Sequence, residues 1–240
     1  MMKLTRLAIY VLFVHFYFMN SVFAATITGT PTKYETTMSK FELCTSSACT
    51  TTTVLGEKTA TFDIASASAG ADVGDWISSF ALEVGTTYTH VQATINVTFT
   101  IAGYIEDDGS NGLDADSYCV TVASPSTAAS ATTPAIQAES STTTNADMSW
   151  VVPNMTGTNY GNLTTSFGTN GITKTDGAST ITWIGALTSP YTPTASSAPK
   201  FTMSFDVTNM LQAYGTEVSS GVYDCAIYVK PPAVSISLTD

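Results

Sequence analysis

An all-β fold, an antiparallel sandwich of the immunoglobulin-like or jelly-roll-like kind, follows from three observations. Apolar and polar residues alternate with period two in most patterned segments, and helical periodicity is nearly absent. Turn-forming Gly, Pro, Ser and Asn separate about ten such segments. Four cysteines follow an export leader, a combination that implies disulfides.

The leader comes first. Lys3 and Arg6 precede an apolar run from Leu7 to Met19, about 13 residues long and too short to span a bilayer. Val22 and Ala24 then supply a small-residue cleavage signal. Residues 1–24 are therefore predicted to be a signal peptide, and 25–240 the mature chain. No later run is long enough for a membrane helix, so no membrane span is expected after cleavage. Cleavage removes Lys3 and Arg6, the latter being the only arginine. Six lysines then face 19 acids, and the net charge falls from −11 to −13. Phosphate backbones are bound by cationic contacts, so nucleic acid is excluded as a partner.

The clearest strand is "YTHVQATINVTFTI", Tyr88 to Ile101. Val91, Ala93, Ile95, Val97, Phe99 and Ile101 share one face, and His90, Gln92, Thr94, Asn96, Thr98 and Thr100 the other. The same alternation marks "FTMSFDV", "VYDCAIYV", "SYCVTV" and "AVSISL". Shorter candidates are "TITG", "KYETTMSKFEL", "TATFDIA", "DMSWVV" and "STITWIG". Two brief helices are expected, in "GDWISSFAL" and "TNMLQAYG". Residues 124–146 are rich in Ser, Thr and Ala and carry no pattern, which reads as a long loop. That loop sits inside a single sandwich spanning 25–240. The alternative is two small sandwiches, 25–123 and 147–240, joined by it as a linker.

Of the three possible pairings of the cysteines, the one favoured is Cys44–Cys49, closing the turn in "CTSSAC", with Cys119–Cys225. The latter ties the two halves of the chain together and favours one unit. Loop-closure entropy makes the first worth about 2 kcal/mol and the second nearly 5. The spacing lacks paired C-x-x-C knuckles, so a thiolate metal site is not expected.

Chemistry is sparse. After leader removal His90 is the only histidine, and it lies on the polar face of a regular strand. A Ser-His-Asp or Cys-His arrangement would have to use it, and a multi-histidine zinc site is impossible. No nucleophile elbow or phosphate loop is present. The chain is therefore expected not to be an enzyme.

The stretch "EDDGSNGLDADSYC" is the best ligand candidate. Asp107, Asp108, Asn111, Asp114 and Asp116 offer oxygens of the type calcium takes, and Gly109 and Gly112 permit tight turns. It does not fit a helix–loop–helix calcium loop. With Gly112 at the invariant glycine, Gly109 replaces a ligand and Tyr118 the closing glutamate. A solvated hairpin loop is the simpler reading, with a non-standard calcium loop as the alternative. Trp76, in the loop-like "VGDWISS", is the candidate for stacking a sugar, whereas Trp150 and Trp183 lie within alternating strands and read as core. The opening "LEVGTTYTHVQATI" is similar to the G-x-Y-x-x-V start of a strand in immunoglobulin-like and prealbumin-like modules of bacterial surfaces. The likeness covers one strand.

These features point to a secreted, periplasmic or cell-surface protein with a structural, adhesive or binding role. Its partners would be other surface proteins or glycans. Self-assembly is possible through strand donation by "ATITGTPTKYETTM" to a neighbour's sheet. No cofactor is required, and calcium is the one to test. The alternative function is a carbohydrate-binding module assisted by calcium at the acidic loop.

Overall fold

The structure, a computed structural model, describes residues 27–66, 81–109, 112–156, 160 and 164–240. The leader, Trp76 with most of "GDWISSFAL", and Asn111 lie outside the described residues. Ile27–Gly29 (β1) leads into the long Lys33–Cys44 (β2), followed by Thr52–Gly56 (β3) and Ala60–Asp63 (β4). Tyr88–Asn96 (β5), Thr98–Ala102 (β6), Tyr104–Glu106 (β7) and Tyr118–Val120 (β8) come next. Ala135–Gln137 (β9) and Glu139–Ser140 (β10) precede Met148–Val151 (β11). A six-residue helix, Thr164–Thr169 (α1), is followed by Ile172–Thr173 (β12) and Thr180–Tyr191 (β13). Lys200–Asp206 (β14), Leu211–Ser219 (β15), Val222–Val229 (β16) and Ala233–Thr239 (β17) complete the chain. It is an all-β molecule of packed antiparallel sheets.

β2 is the axis of the larger layer. One of its sides pairs with β3 and β4 in turn, the other with β5 and β6. Beyond β5 and β6 lie β13 and β11 respectively, with β12 outside β13. The expected single strand over Tyr88–Ile101 is thus interrupted at Val97. There its outer neighbour changes from β13 to β11, and the Val97 N–H bonds Ser179 while its carbonyl takes Val152. Alternation still selects the core: Val91, Ala93, Val97, Phe99 and Ile101 are buried.

The facing layer is one long hairpin with a break. β15 pairs with β16, and β14 with β17, so β14–β15 runs antiparallel to β16–β17. β1 and β9 flank the first pair. Between Asp206↔Ala233 and Leu211↔Val229 the ladder is lost. Pro231 and Pro232 have no N–H to give. Opposite them, Asn209 adopts a positive φ of 57°. The break divides the core in two. Leu211, Ala213, Ile227 and Val229 pack with Phe99, Ile101 and Trp150. Phe201, Met203, Ile236 and Leu238 pack with Phe41, Leu43 and Val91.

Two expectations change. "TNMLQAYG" is not helical: Leu211 begins β15, paired on both sides by β1 and β16, and the two ladders outweigh local helix propensity. The stretch 124–146 is a long loop carrying two short strands, with Ala135 and Gln137 fully buried against β16. Strands from before and after it share the larger layer. The segment read as a strand donor is used within its own chain, Ile27–Gly29 on β15 and Lys33–Cys44 at the centre of the larger layer. Both disulfides form as expected, Cys44–Cys49 and Cys119–Cys225, and all four cysteines are paired.

Candidate functional site

The acidic stretch joins β7 to β8, with β10 on the other side of β8. Its geometry is that of a hydrogen-bonded hairpin loop. The Asp107 N–H donates to the Ser117 carbonyl, and Asp107 Oδ1 accepts from the Gly109 N–H at 3.0 Å. Gly109, Gly112 and Asp116 take positive φ, and the Tyr223 ring lies on Gly112, where a Cβ would fall 2.5 Å from it. Leu113 is buried and pins the loop to the core. Glu139 Oε2 accepts from the Asp114 N–H and lies 2.9 Å from Ser117 Oγ.

The predicted calcium ligands do not converge among the described residues. Asp108, Asp114 and Asp116 are exposed, whereas Asp107 is 6% exposed. Asp107 instead meets the Cys119–Cys225 disulfide, its carboxylate oxygen and both sulfurs all lying within 4.8 Å of one another. Disulfide sulfurs are not thiolates and make no metal site with it. Asp107 Oδ2 has no hydrogen-bond partner. Burial pushes the Asp107 carboxyl above the usual carboxylate range; the Gly109 N–H opposes this, and the nearby charges of Glu139 and Asp108 add to it.

His90 is half-buried on β5, and its Nδ1 is 2.8 Å from Thr89 Oγ1. On the same face, Glu42 is nearly buried and is met by Lys40, Thr52 and Gln92 at 2.9–3.0 Å. Burial raises the Glu42 carboxyl, but these donors more than offset it and the net shift is downward. This is a satisfied polar cluster on the outer surface of a sheet.

A cavity of about 110 Å³ lies between the two halves of the core, where the facing hairpin breaks. The larger layer lines it with Thr36, Phe62, Phe99, Trp150 and Trp183. The hairpin lines it with Phe205, Val229, Pro231, Pro232 and Val234. Register explains the first wall: Thr36 pairs with Phe62, and Phe99 with Trp150. Among the described residues, three buried side-chain atoms lack any hydrogen-bond partner, and two belong to this wall: Thr36 Oγ1 and the Trp150 indole Nε1. Tyr34, also at the cavity, donates its hydroxyl to the Lys230 carbonyl.

Trp150 was legible as a core residue. Its unpaired indole N–H was not, because that depends on the neighbours it meets in the folded chain. The one available signal was Pro231–Pro232 between two alternating runs, which marks a gap in the ladder. Fold and site together define a disulfide-bonded β-sandwich with a partly open apolar pocket and a structured acidic hairpin. Compared with known protein families, with curated proteins and with solved structures, the chain matches none.

Proposed function

We propose that the protein is an exported, non-enzymatic component of a cell envelope or surface, acting by binding or adhesion. The observation that carries this reading is that every cysteine is engaged in one of two disulfides, a state maintained in oxidising compartments. The basic and apolar leader agrees with it. So does the side chain best suited to general-base work, His90, which among the described residues bonds its own neighbour Thr89. No helix among the described residues is long and apolar enough to cross a membrane.

Fractionation of producing cells tests the reading. The expected product begins at Ala25 and is recovered from the medium, the periplasm or the cell surface. Size-exclusion chromatography with mass detection on that material then separates a monomeric binder from an assembling subunit. A chain retained inside the cell with residues 1–24 attached contradicts the proposal.

A further inference from the structure

We propose that the free edge of β14 is a self-association surface, joining the β14 of a second copy in antiparallel register centred on Met203. β14 is paired on one side only. Its seven residues run against β17 from Lys200↔Thr239 to Asp206↔Ala233 without a register shift. Among the described residues, no strand and no other backbone bond meets its far side. Alternate residues of an antiparallel strand turn their N–H and C=O groups to opposite sides, so β14 presents a row of unpaired backbone groups. Native edges are blunted by shortness, an internal charge, a proline or a bulge. β14 has none of these: its charges stand only at its two ends, and no proline interrupts it. Apart from β17, the strands paired on one side only among the described residues are shorter, the longest being β3 with five residues. The far side of β17 lies against β13, where Tyr191 donates its hydroxyl to Asp240 at 2.6 Å.

The sequence of β14 selects a second copy as the occupant, because it is complementary to itself. Antiparallel pairing about Met203 sets Lys200 opposite Asp206 of the second copy, Phe201 opposite Phe205, and Thr202 opposite Ser204. The residues of each pair lie on the same face, since side chains alternate along both strands. The inner face then carries Phe201, Met203 and Phe205, which already pack in or against the core. The outer face carries Lys200 and Asp206, both exposed, so the two-fold axis places an ion pair at each end of the joint. Among the described residues Lys200 makes no ion pair within its own chain. Parallel in-register pairing would set like charges against each other, and a two-residue slip in either direction would lose both ion pairs. The inference stands apart from the export reading, because purified protein with both disulfides formed tests it wherever the cell places the chain.

Sedimentation velocity across a concentration series tests this, at about 0.15 M salt, where the net negative charge of each copy is screened beyond about 8 Å. A monomer–dimer equilibrium is expected. Lys200→Glu should weaken the dimer by about 5- to 30-fold, because it turns two attractions into two repulsions. Lys200→Glu/Asp206→Lys should return association to within about 3-fold of the parent. Asp206 Oδ1 also accepts the Thr208 N–H at 2.9 Å. Asp206→Asn keeps that acceptor and removes only the charge, and should weaken the dimer by about 2- to 5-fold. Amide hydrogen exchange locates the joint: the β14 amides should exchange more slowly as concentration rises. The proposal is overturned if the chain stays monomeric up to about 1 mM. It is equally overturned if Lys200→Glu leaves the dimer unchanged, or if the double reversal is as weak as Lys200→Glu alone. Exchange from β14 that is as slow in the dilute monomer as in the dimer also overturns it, since the edge would then be covered by its own chain.

Discussion

Removing Cys119–Cys225 should cost more than twice what removing Cys44–Cys49 costs. The bridges close sequence separations of 106 and 5 residues. The chain-entropy relation then gives about 4.8 kcal/mol for the long loop and about 2 kcal/mol for the short one. All but Cys49 of the four cysteines are fully buried, so each replacement also removes core contacts. Those contacts do not reverse the order, because the long bridge loses two buried partners and the short bridge one. The perturbations are the double variants Cys119→Ala/Cys225→Ala and Cys44→Ala/Cys49→Ala. Equilibrium urea unfolding at fixed pH provides the free energies. The long-bridge variant should also show the larger m-value, because its unfolded chain expands most. A domain stable by about 5–15 kcal/mol approaches its unfolding threshold after such a loss. Equal losses for the two variants, or a larger one for Cys44/Cys49, would refute the reasoning.

Three further outcomes follow from the geometry. Gly171→Ala should destabilise by about 2–3 kcal/mol, because φ is +71° and the new Cβ would lie 2.1 Å from the Ile184 carbonyl oxygen; a melting temperature within about 1 °C of the parent would contradict the packing there. Folding raises the Asp107 carboxyl, so its stabilising contribution is complete below the unfolded value and is lost as pH rises through the folded one. Asp107→Asn cannot ionise, so its urea midpoint should gain on the parent as pH rises above about 4, the unfolded value; a gap independent of pH would refute this. Chelator should leave the thermal midpoint unchanged, because the carboxylates of Asp108, Asp114 and Asp116 are exposed and do not gather on Asp107. A midpoint that rises with calcium would restore the Asp107–Asp116 loop as a metal site.

Strand identity was readable wherever one face is buried. "AVSISL" carries its alternation into β17, whereas in β16 Cys225, Ile227 and Val229 follow it but Tyr223 is exposed and Ala226 is buried as well. The strands that escaped notice are those too short or too sparsely apolar for a period to show. Thr52–Gly56 offers a single core side chain, Leu55, and owes its place to its ladder with β2. Ala135–Gln137 is too short for a period to show and is selected by the β16 edge. The helix expected over "TNMLQAYG" failed for the converse reason, since Met210, Leu211 and Tyr214 fit one helical stripe as well as Leu211 and Ala213 fit one strand face. Of the candidate site residues, Asp107 was picked out for its charge, but its companion is the disulfide, because Cys119 and Cys225 meet only in the folded chain. The cavity is a property of two layers failing to close over Pro231–Pro232. A single strand's pattern does not carry it.

Disulfide mapping of the protein recovered from producing cells is the most direct measurement of the central claim, the proposed export-matured sandwich locked by two cross-links. Non-reducing peptide mass spectrometry should recover Cys44 joined to Cys49 and Cys119 joined to Cys225, on a chain beginning at Ala25. Free thiols, a crossed pairing such as Cys44 with Cys119, or an intact leader would contradict it.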